Sequence, residues 1–265
     1  MAKRIQFART GGSEVLELVD VTPAEPGPGE VRVANRAVGL NFIDIYFRTG
    51  LYPAPSLPSG LGTEAAGVVD AVGEGVTHLR EGDRVAYAQG PLGAYAELHT
   101  LPADKVVVLP DGIDFETAAA SMLKGLTVQY LMRQTHRVEA GETILWHAAA
   151  GGVGSIACQW ARALGVRLIG TVSSPEKAAL AEQNGAWATI DYQGGCGRAG
   201  ARADRRRDVR RGLRFGGQGY LGDLPGLPQA TLADGQLRQR LRRRGRRQPG
   251  DPQPEGLALH HASQP

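Results

Sequence analysis

The chain has 265 residues, enough for two modest domains, and its 42% hydrophobic and 22% charged residues are typical of a globular enzyme and exclude a membrane protein. Its start has no apolar run long enough for a signal peptide or membrane helix, and its two cysteines exclude a disulfide framework, so we expect a cytoplasmic protein. The net charge of +3 is unevenly spread: residues 193–265 hold 15 Arg, no Lys and 6 acidic residues, which leaves a net −6 on the first 192.

The first part of the chain reads as short strands separated by glycine and proline. Alternating apolar and polar residues predict a half-buried strand at Glu30–Gly39. Further strands are predicted at Gly67–Gly73, Gly82–Tyr87, Gly93–His99 and Lys105–Leu109. Many short strands with such turns favour a compact β-rich domain, built as a distorted barrel.

The pattern changes near Phe115. Phe115–Lys124 and Gly125–Arg133 have helical composition and spacing, and an alternating α/β unit follows. Its predicted elements are a strand at Thr143–His147, a glycine turn at Gly151–Gly154, a helix at Ser155–Leu164, a strand at Arg167–Val172, a helix at Pro175–Asn184 and a strand at Ala188–Tyr192. This order is half of a doubly wound nucleotide-binding fold, so the fold class is α/β.

The glycine turn predicts a dinucleotide site. From Ala149 to Gly154 the chain fits the G/A-x-G-x-x-G fingerprint between a strand and a helix. Small residues there let the backbone approach a pyrophosphate, whose charge is met by free N–H groups and the helix dipole. A tight turn without a ligand is the plainer alternative, and the strand–turn–helix context favours the nucleotide.

The end of the second strand of this unit indicates which nucleotide. An NAD site would place Asp or Glu there, whereas this chain has Ser173, Ser174 and Lys177, which can bind a 2′-phosphate. The plainer interpretation is that Ser173 caps the next helix and Lys177 is solvated. We favour NADPH over NADH.

Several separated motifs, in order, resemble the zinc-independent, zeta-crystallin-like quinone oxidoreductases of the medium-chain dehydrogenase/reductase superfamily. These motifs are Gly39–Tyr46, Arg48–Gly50, Tyr52–Pro53, Pro58–Val69, Gly82–Val85, Lys124–Val128 and His147–Gly154. The resemblance runs from about Ile5 to Tyr192. It implies a GroES-like catalytic domain over residues 1–124 and the first half of an NADPH-binding Rossmann domain over residues 125–192.

The same resemblance implies hydride transfer without a metal. In the zinc alcohol dehydrogenases of this superfamily a Cys ligand stands where this chain has Asn41, and no Cys precedes Cys158. The histidines at positions 78, 99, 136 and 147 lack the spacing of a metal site. A quinone fits as the acceptor, because its reduction gives an aromatic hydroquinone.

Family positions carry over residue by residue. Asn41, Tyr46 and Tyr52 are the catalytic candidates, although packing in a β-rich core is the plainer reading of each tyrosine. With Asn41 and Tyr46, residues 42–45 would form a loop over the nicotinamide and its ribose. The implied cofactor contacts are Phe42, Ile43, Asp44, Ile45, Tyr130, Gly152, Val153, Ser173, Ser174, Lys177 and Tyr192.

Residues 193–265 do not continue the family's pattern. They contain no Ile, a single Val and two aromatics, so they predict a disordered, non-native Arg/Gly/Pro-rich tail. A basic arm that binds nucleic acid is one interpretation, although the near-absence of aromatics disfavours it. A shifted reading frame is the other.

The shifted-frame interpretation can be tested on the residues themselves. Read one base later, codons for Arg247–His260 permit VNLGILNPKGSLY, and those for Arg211–Gly222 permit VVYDSVGKDTW. These shifted-frame sequences resemble the strand and turn sequences that follow at this point in quinone oxidoreductases. We therefore hypothesise a single-base shift at about Tyr192–Gln193, and we expect a chain so altered to be impaired, because the lost strands would complete the cofactor sheet.

Two rivals stay open. An enoyl or alkenal reductase would use the same fold and cofactor, and a non-catalytic nucleotide- or RNA-binding protein would follow if the basic tail is genuine. Family members are commonly homodimers through the nucleotide domain, the part that the shift would remove. We expect no membrane partner.

Overall fold

The computed structural model describes residues 1–191 and the short strand 214–215. The chain divides into two units, Met1–Gly217 and Gln218–Pro265, and every described residue lies in the first. Tyr192 and, apart from that strand, the predicted tail 193–265 lie outside the described residues. Within the described part, no helix is both long and apolar enough to cross a membrane.

Two antiparallel sheets build the first lobe. The smaller has the order β2-β1-β4 and the larger the order β7-β3-β5-β6-β8. Their strands are β1 Ala2–Phe7, β2 Leu16–Val21, β3 Glu30–Val38, β4 Ser59–Gly60, β5 Glu64–Val72, β6 Arg84–Ala88, β7 Leu98–Pro102 and β8 Val106–Val108. The predicted β-rich domain is confirmed.

Alternation of side chains on β3, β5 and β6 makes the core of this lobe. Val31 and Val33 are fully buried, as are Val85 and Tyr87. The bend between Arg32 and Val33 shifts the register of β3 against β5, which curves the sheet around this core. One prediction was wrong: residues 93–97 are not a strand, because Gly93 turns at φ +143° and only β7 from Leu98 pairs with β3.

Residues 42–49 form a helix, α1 (Phe42–Thr49), where the sequence predicted a loop. The Asp44 carboxylate accepts the Asn41 backbone N–H at 2.8 Å, which satisfies a donor at the helix start. Asn41 and Asp44 are therefore the capping residues of α1. The family resemblance implied a loop over residues 41–46, and their contact with the nicotinamide stays a prediction.

One helix joins the two lobes, over the residues whose composition and spacing predicted helix. It is α2 (Phe115–Gln129), which continues as a π-helical turn over Tyr130–Thr135. Asp114 caps it by accepting the Thr117 N–H at 2.6 Å. Because α2 packs against β5 of the first lobe and α3 of the second, the expected domain boundary after residue 124 falls inside a continuous helix.

The second lobe is a parallel sheet of order β11-β10-β9-β12. Its elements are β9 Thr143–Trp146, α3 Gly152–Ala163, β10 Arg167–Val172, α4 Pro175–Gln183, β11 Ala188–Asp191 and β12 Arg214–Phe215. The predicted β-α-β-α-β unit is confirmed. The two-residue β12, which was not predicted, pairs with β9. An open sheet edge can pair with any segment that supplies backbone hydrogen bonds.

A buried histidine in the first lobe should make its stability pH-dependent. The pKa of His99 is lowered to about 4, mainly by burial; a hydrogen bond with the Pro91 backbone opposes this shift, and the charge of Arg4 adds to it. Because the folded pKa lies below that of the unfolded chain, the fold favours neutral His99; this stabilisation is complete above pH 6.5 and is lost as pH falls towards 4. We expect a loss of about 3 kcal/mol across that window.

Thermal melting followed by circular dichroism from pH 7.5 to 4.5 tests this expectation. His99→Gln should flatten the pH dependence over that range, whereas His78→Gln, at a histidine near the surface, should leave it steep. Equal slopes for the unsubstituted chain and His99→Gln would show that His99 does not cause the dependence.

Candidate functional site

In the turn between β9 and α3, backbone atoms pack closely against other backbone atoms. Ala149 donates its N–H to the Thr171 carbonyl at 3.1 Å, which ties the turn to β10. A Cβ added at Gly154 would lie 2.5 Å from the Ala148 carbonyl oxygen and 2.6 Å from Ala149 Cα, so only glycine fits there. The N-terminus of α3 therefore points out of a turn lined by small residues, a geometry that suits a phosphate.

A serine–lysine pair lies at the carboxyl end of β10. Lys177 Nζ donates to Ser173 Oγ at 2.8 Å on the exposed surface. Ser174, not Ser173, caps α4: its Oγ accepts the Lys177 backbone N–H at 3.3 Å. The Ser173 hydroxyl and the Lys177 ammonium are thus together and accessible, and both can bind an anion.

A buried polar cluster connects the first lobe to this turn, and we name Asn41, Glu64 and Lys124 the interlobe cluster. Asn41 Nδ2 donates to Glu64 Oε2 at 2.6 Å, and Lys124 Nζ donates to Asn41 Oδ1 at 3.0 Å. Glu64 is fully buried and lies 3.4 Å from Lys124 Nζ. Glu64 Oε1 also accepts the Leu123 N–H of α2 at 2.7 Å.

The stem of Lys124 runs along the glycine turn. A Cβ added at Gly152 would lie 2.9 Å from Lys124 Cδ and 3.0 Å from Cε. Asn41 is therefore one side chain away from the start of α3. The cluster joins the two places that the sequence assigned to different parts of one cofactor.

A buried carboxyl lies beside the interlobe cluster. Asp44 is 3% exposed and accepts the Tyr95 hydroxyl at 2.6 Å through Oδ2. Burial is the main cause that raises the pKa of Asp44, and nearby Glu64 raises it further. Burial and the hydrogen bond to Asp44 also raise the pKa of Tyr95. This inward orientation makes Asp44 a support of α1, and its contact with a cofactor stays a prediction.

Several aromatic and apolar side chains of α1 and of the segment after it are exposed. Phe42 is 76% exposed, an unusual state for a large apolar side chain, and Ile45 is also exposed. Tyr46 and Tyr52 pack edge to face with ring centroids 5.4 Å apart. Such a surface can hold a flat aromatic ligand.

The structure places the predicted site residues on several elements, with contacts between some of them. Asn41 lies in the interlobe cluster, Gly152 and Val153 begin α3, and Tyr130 is exposed at the end of α2. Ile43 is half-buried on α1. Sequence reasoning missed the parts played by Glu64, Lys124 and Tyr95.

Only a contact across the fold reveals these three residues. Glu64 follows Thr63 at the start of a strand and Lys124 stands in an ordinary helix, so neither has a local signature. Both had appeared within matched motifs. A glutamate at the first position of an otherwise small and apolar strand was the one available signal of a buried partner.

Metal-ligating side chains do not gather in the part of the chain that the structure describes. No group of three His, Cys, Asp or Glu there has the geometry of a metal site. Each histidine has its own surroundings: His136 contacts Glu142, His78 contacts the Ala103 carbonyl and His147 contacts Thr171. Cys158 is buried under the glycine turn, and burial raises the pKa of its thiol to about 11.

Two family profiles match the chain. Residues 27–111 match the alcohol dehydrogenase GroES-like domain, and residues 152–206 match the zinc-binding dehydrogenase profile. The first covers the larger sheet of the first lobe and the second begins at α3.

Relatives and solved structures agree with these profiles. A quinone oxidoreductase of Pseudomonas aeruginosa is 74% identical over 192 residues, which are 72% of this chain and 59% of the relative. The crystal structure of a quinone oxidoreductase from Pseudomonas syringae pv. tomato is 68% identical, with a TM-score of 0.72, over 73% of this chain and 60% of that one.

A structure described as Escherichia coli quinone oxidoreductase complexed with NADPH also has a TM-score of 0.72, at 59% identity over 73% of this chain and 59% of that one. This chain therefore spans about three-fifths of the length of the relatives that it matches.

Proposed function

Because the chain belongs to the quinone oxidoreductases of the medium-chain dehydrogenase/reductase superfamily, we propose that its complete form transfers a hydride from NADPH to a quinone. The observation that carries the proposal is the pairing of the glycine turn with the exposed Ser173–Lys177 pair in one lobe. The first suits a pyrophosphate and the second a 2′-phosphate.

The residues present fit the cofactor. NADPH supplies the hydride when it is bound. The start of α3 at Gly152 and Val153 would meet the pyrophosphate, while Ser173 and Lys177 would bind the adenosine phosphate. Ser174 would contribute through its backbone, since its hydroxyl caps α4. Tyr192 would complete this group from outside the described residues.

The chain's own contribution to the chemistry is positioning. Phe42, Ile43 and Ile45 of α1, with Tyr130 of the π-helical turn, would hold the nicotinamide and exclude water, and Asn41 would orient its ribose side. Tyr46 and Tyr52 pack against the quinone ring. The quinone takes up one hydride and one proton and leaves as the hydroquinone.

We propose that no metal takes part. Asn41 stands where a zinc-ligating relative has Cys, and its carboxamide is engaged by Glu64 and Lys124. This donor set is an amide, a carboxylate and an ammonium, and an ammonium does not bind a cation.

The experiment that tests the function is an acceptor panel. The protein tested is the frame-restored chain, defined as residues 1–192 followed by the shifted-frame translation. We expect NADPH oxidation to be faster with 1,4-benzoquinone or 9,10-phenanthrenequinone than with an enoyl thioester or an alkenal. A preference for the alkenal would replace the proposal with its rival.

Removing the Lys177 side chain should weaken the binding of NADPH but not that of NADH. Lys177→Ala deletes one charge-assisted contact to the 2′-phosphate, so we expect the KM for NADPH to rise about tenfold or more, with the KM for NADH nearly unchanged. Initial rates of the frame-restored chain with each nucleotide measure this. Lys105→Ala, at a lysine paired with Asp104 in the other lobe, is the matched control. Equal effects on both nucleotides would show that Lys177 does not read the phosphate.

We also propose a single-base shift at about Tyr192–Gln193, from a natural lesion or a sequencing error. The matches to the Pseudomonas aeruginosa and Escherichia coli relatives are 192 and 193 residues long, and 192 residues precede the change in composition. The zinc-binding dehydrogenase profile continues to residue 206. The tail would then be an accident of frame, not a nucleic-acid arm.

The complete form is proposed to act in the cytoplasm as a homodimer through the nucleotide lobe. Two cysteines, one of them the buried free Cys158, suit a reducing compartment. The 265-residue chain lacks the family's dimer-forming part, so we expect it to sediment differently from the frame-restored chain.

A further inference from the structure

We propose that Lys124 is a positioning residue for the reaction: with Glu64 it holds the Asn41 carboxamide in one orientation beside the cofactor turn. This inference rests on the proposed function. It concerns a lysine to which the sequence assigned no role and which the structure places between the two lobes.

Lys124 and Glu64 fix the orientation of the Asn41 carboxamide. Its Oδ1 accepts from Lys124 Nζ at 3.0 Å and its Nδ2 donates to Glu64 Oε2 at 2.6 Å. An amide turned by 180° would face its NH₂ group to an ammonium and its oxygen to a carboxylate. Both contacts would then be repulsive, so the charged pair selects one of the two orientations.

The charges of Glu64 and Lys124 are held in place. Glu64 is fully buried, and its other oxygen accepts the Leu123 N–H at 2.7 Å, which fixes the carboxylate to the helix that carries Lys124. Lys124 is 20% exposed along its side chain. A carboxylate buried in this way needs a cation and hydrogen bonds, and the cluster supplies both.

Lys124 also contacts the glycine turn that is proposed to bind the cofactor. The Lys124 stem lies against Gly152, where a Cβ would be 2.9 Å from Cδ. A shift of the start of α3 would therefore move Lys124 and with it Asn41. One side chain sets the distance between the turn that binds the pyrophosphate and the residue beside the nicotinamide.

A merely structural role makes a different prediction. If Lys124 only neutralises Glu64, then removing both charges should restore everything that removing one destroys. If Lys124 and Glu64 together also orient Asn41, then removing both should restore the fold and leave the reaction slow. The charge-free pair Lys124→Met with Glu64→Gln separates these cases.

The experiment compares Lys124→Met, the double variant Lys124→Met/Glu64→Gln and the surface control Lys105→Met. Melting temperatures are measured on the 265-residue chain, and kcat and KM with NADPH and 1,4-benzoquinone on the frame-restored chain. We expect Lys124→Met to lower both melting temperature and kcat. The double variant should regain most of the melting temperature, while its kcat stays about tenfold or more below the unsubstituted value and its KM for NADPH changes little.

Each other outcome overturns the proposal. Recovery of kcat together with the melting temperature in the double variant would reduce Lys124 to a charge partner of Glu64. An unchanged kcat in Lys124→Met would remove the role altogether. No quinone reduction by the unsubstituted frame-restored chain would refute the proposed function, and the positioning role with it, whatever the melting temperatures show.

Discussion

Gly154→Ala should destabilise the nucleotide lobe by about 3 kcal/mol or more, because the new methyl group would meet backbone that cannot move aside. The added Cβ would lie 2.5 Å from the Ala148 carbonyl oxygen and 2.6 Å from Ala149 Cα. Relief requires α3 to separate from the turn, which would also remove the phosphate site. Urea unfolding followed by tryptophan fluorescence measures the effect, since all three tryptophans, at positions 146, 160 and 187, lie in this lobe.

The same substitution at Gly125 is the matched control. Gly125 lies inside α2, and a Cβ there would have nothing within 4 Å. Glycine is a poor helix former, so Gly125→Ala should stabilise the chain by up to about 1 kcal/mol. Equal urea midpoints for the two variants would mean that the turn at Gly154 is not closely packed.

Restoring the reading frame after Tyr192 should raise NADPH-dependent quinone reduction by about 10³-fold or more over the 265-residue chain, because orientation of two bound reactants contributes most of such a rate. In the chain as written, the sheet beyond β9 has only the two residues of β12 among those described. A doubly wound fold binds its dinucleotide at the point where strand order reverses, and that point needs strands on both sides.

Initial rates with NADPH and 1,4-benzoquinone, at equal protein concentrations, measure the difference. Gly154→Ala in the frame-restored chain serves as a folding-defective reference. A 265-residue chain that reduces the quinone as fast as the frame-restored chain would show that residues 1–192 and their written tail are sufficient.

Regular elements were predictable where the local pattern decides them. The strand Arg167–Val172 has the predicted bounds, because a buried parallel strand is a continuous apolar run between turns. The first turn of α1 was not recognised: the family resemblance implied a loop over residues 41–46, and the capping role of Asn41 and Asp44 depends on the chain that follows them.

The site residues likewise divide into those that the local sequence predicts and those that it does not. The glycine turn and Ser173 with Lys177 follow from sequence, because neighbours in the chain build them. The interlobe cluster does not, since Glu64 and Lys124 are 60 residues apart and meet only when α2 packs on β5. The same long-range packing turns Asp44 inward to Tyr95.

The nucleotide sequence across the codons for Tyr192 and Gln193 tests the central claim most directly. That claim is that the described residues are the front of an NADPH:quinone oxidoreductase whose frame is shifted at this point. We predict that reading one base later from this junction gives one uninterrupted continuation, including VVYDSVGKDTW and then VNLGILNPKGSLY. DNA that encodes the Arg-rich text and holds no such continuation in the shifted frame would contradict the claim.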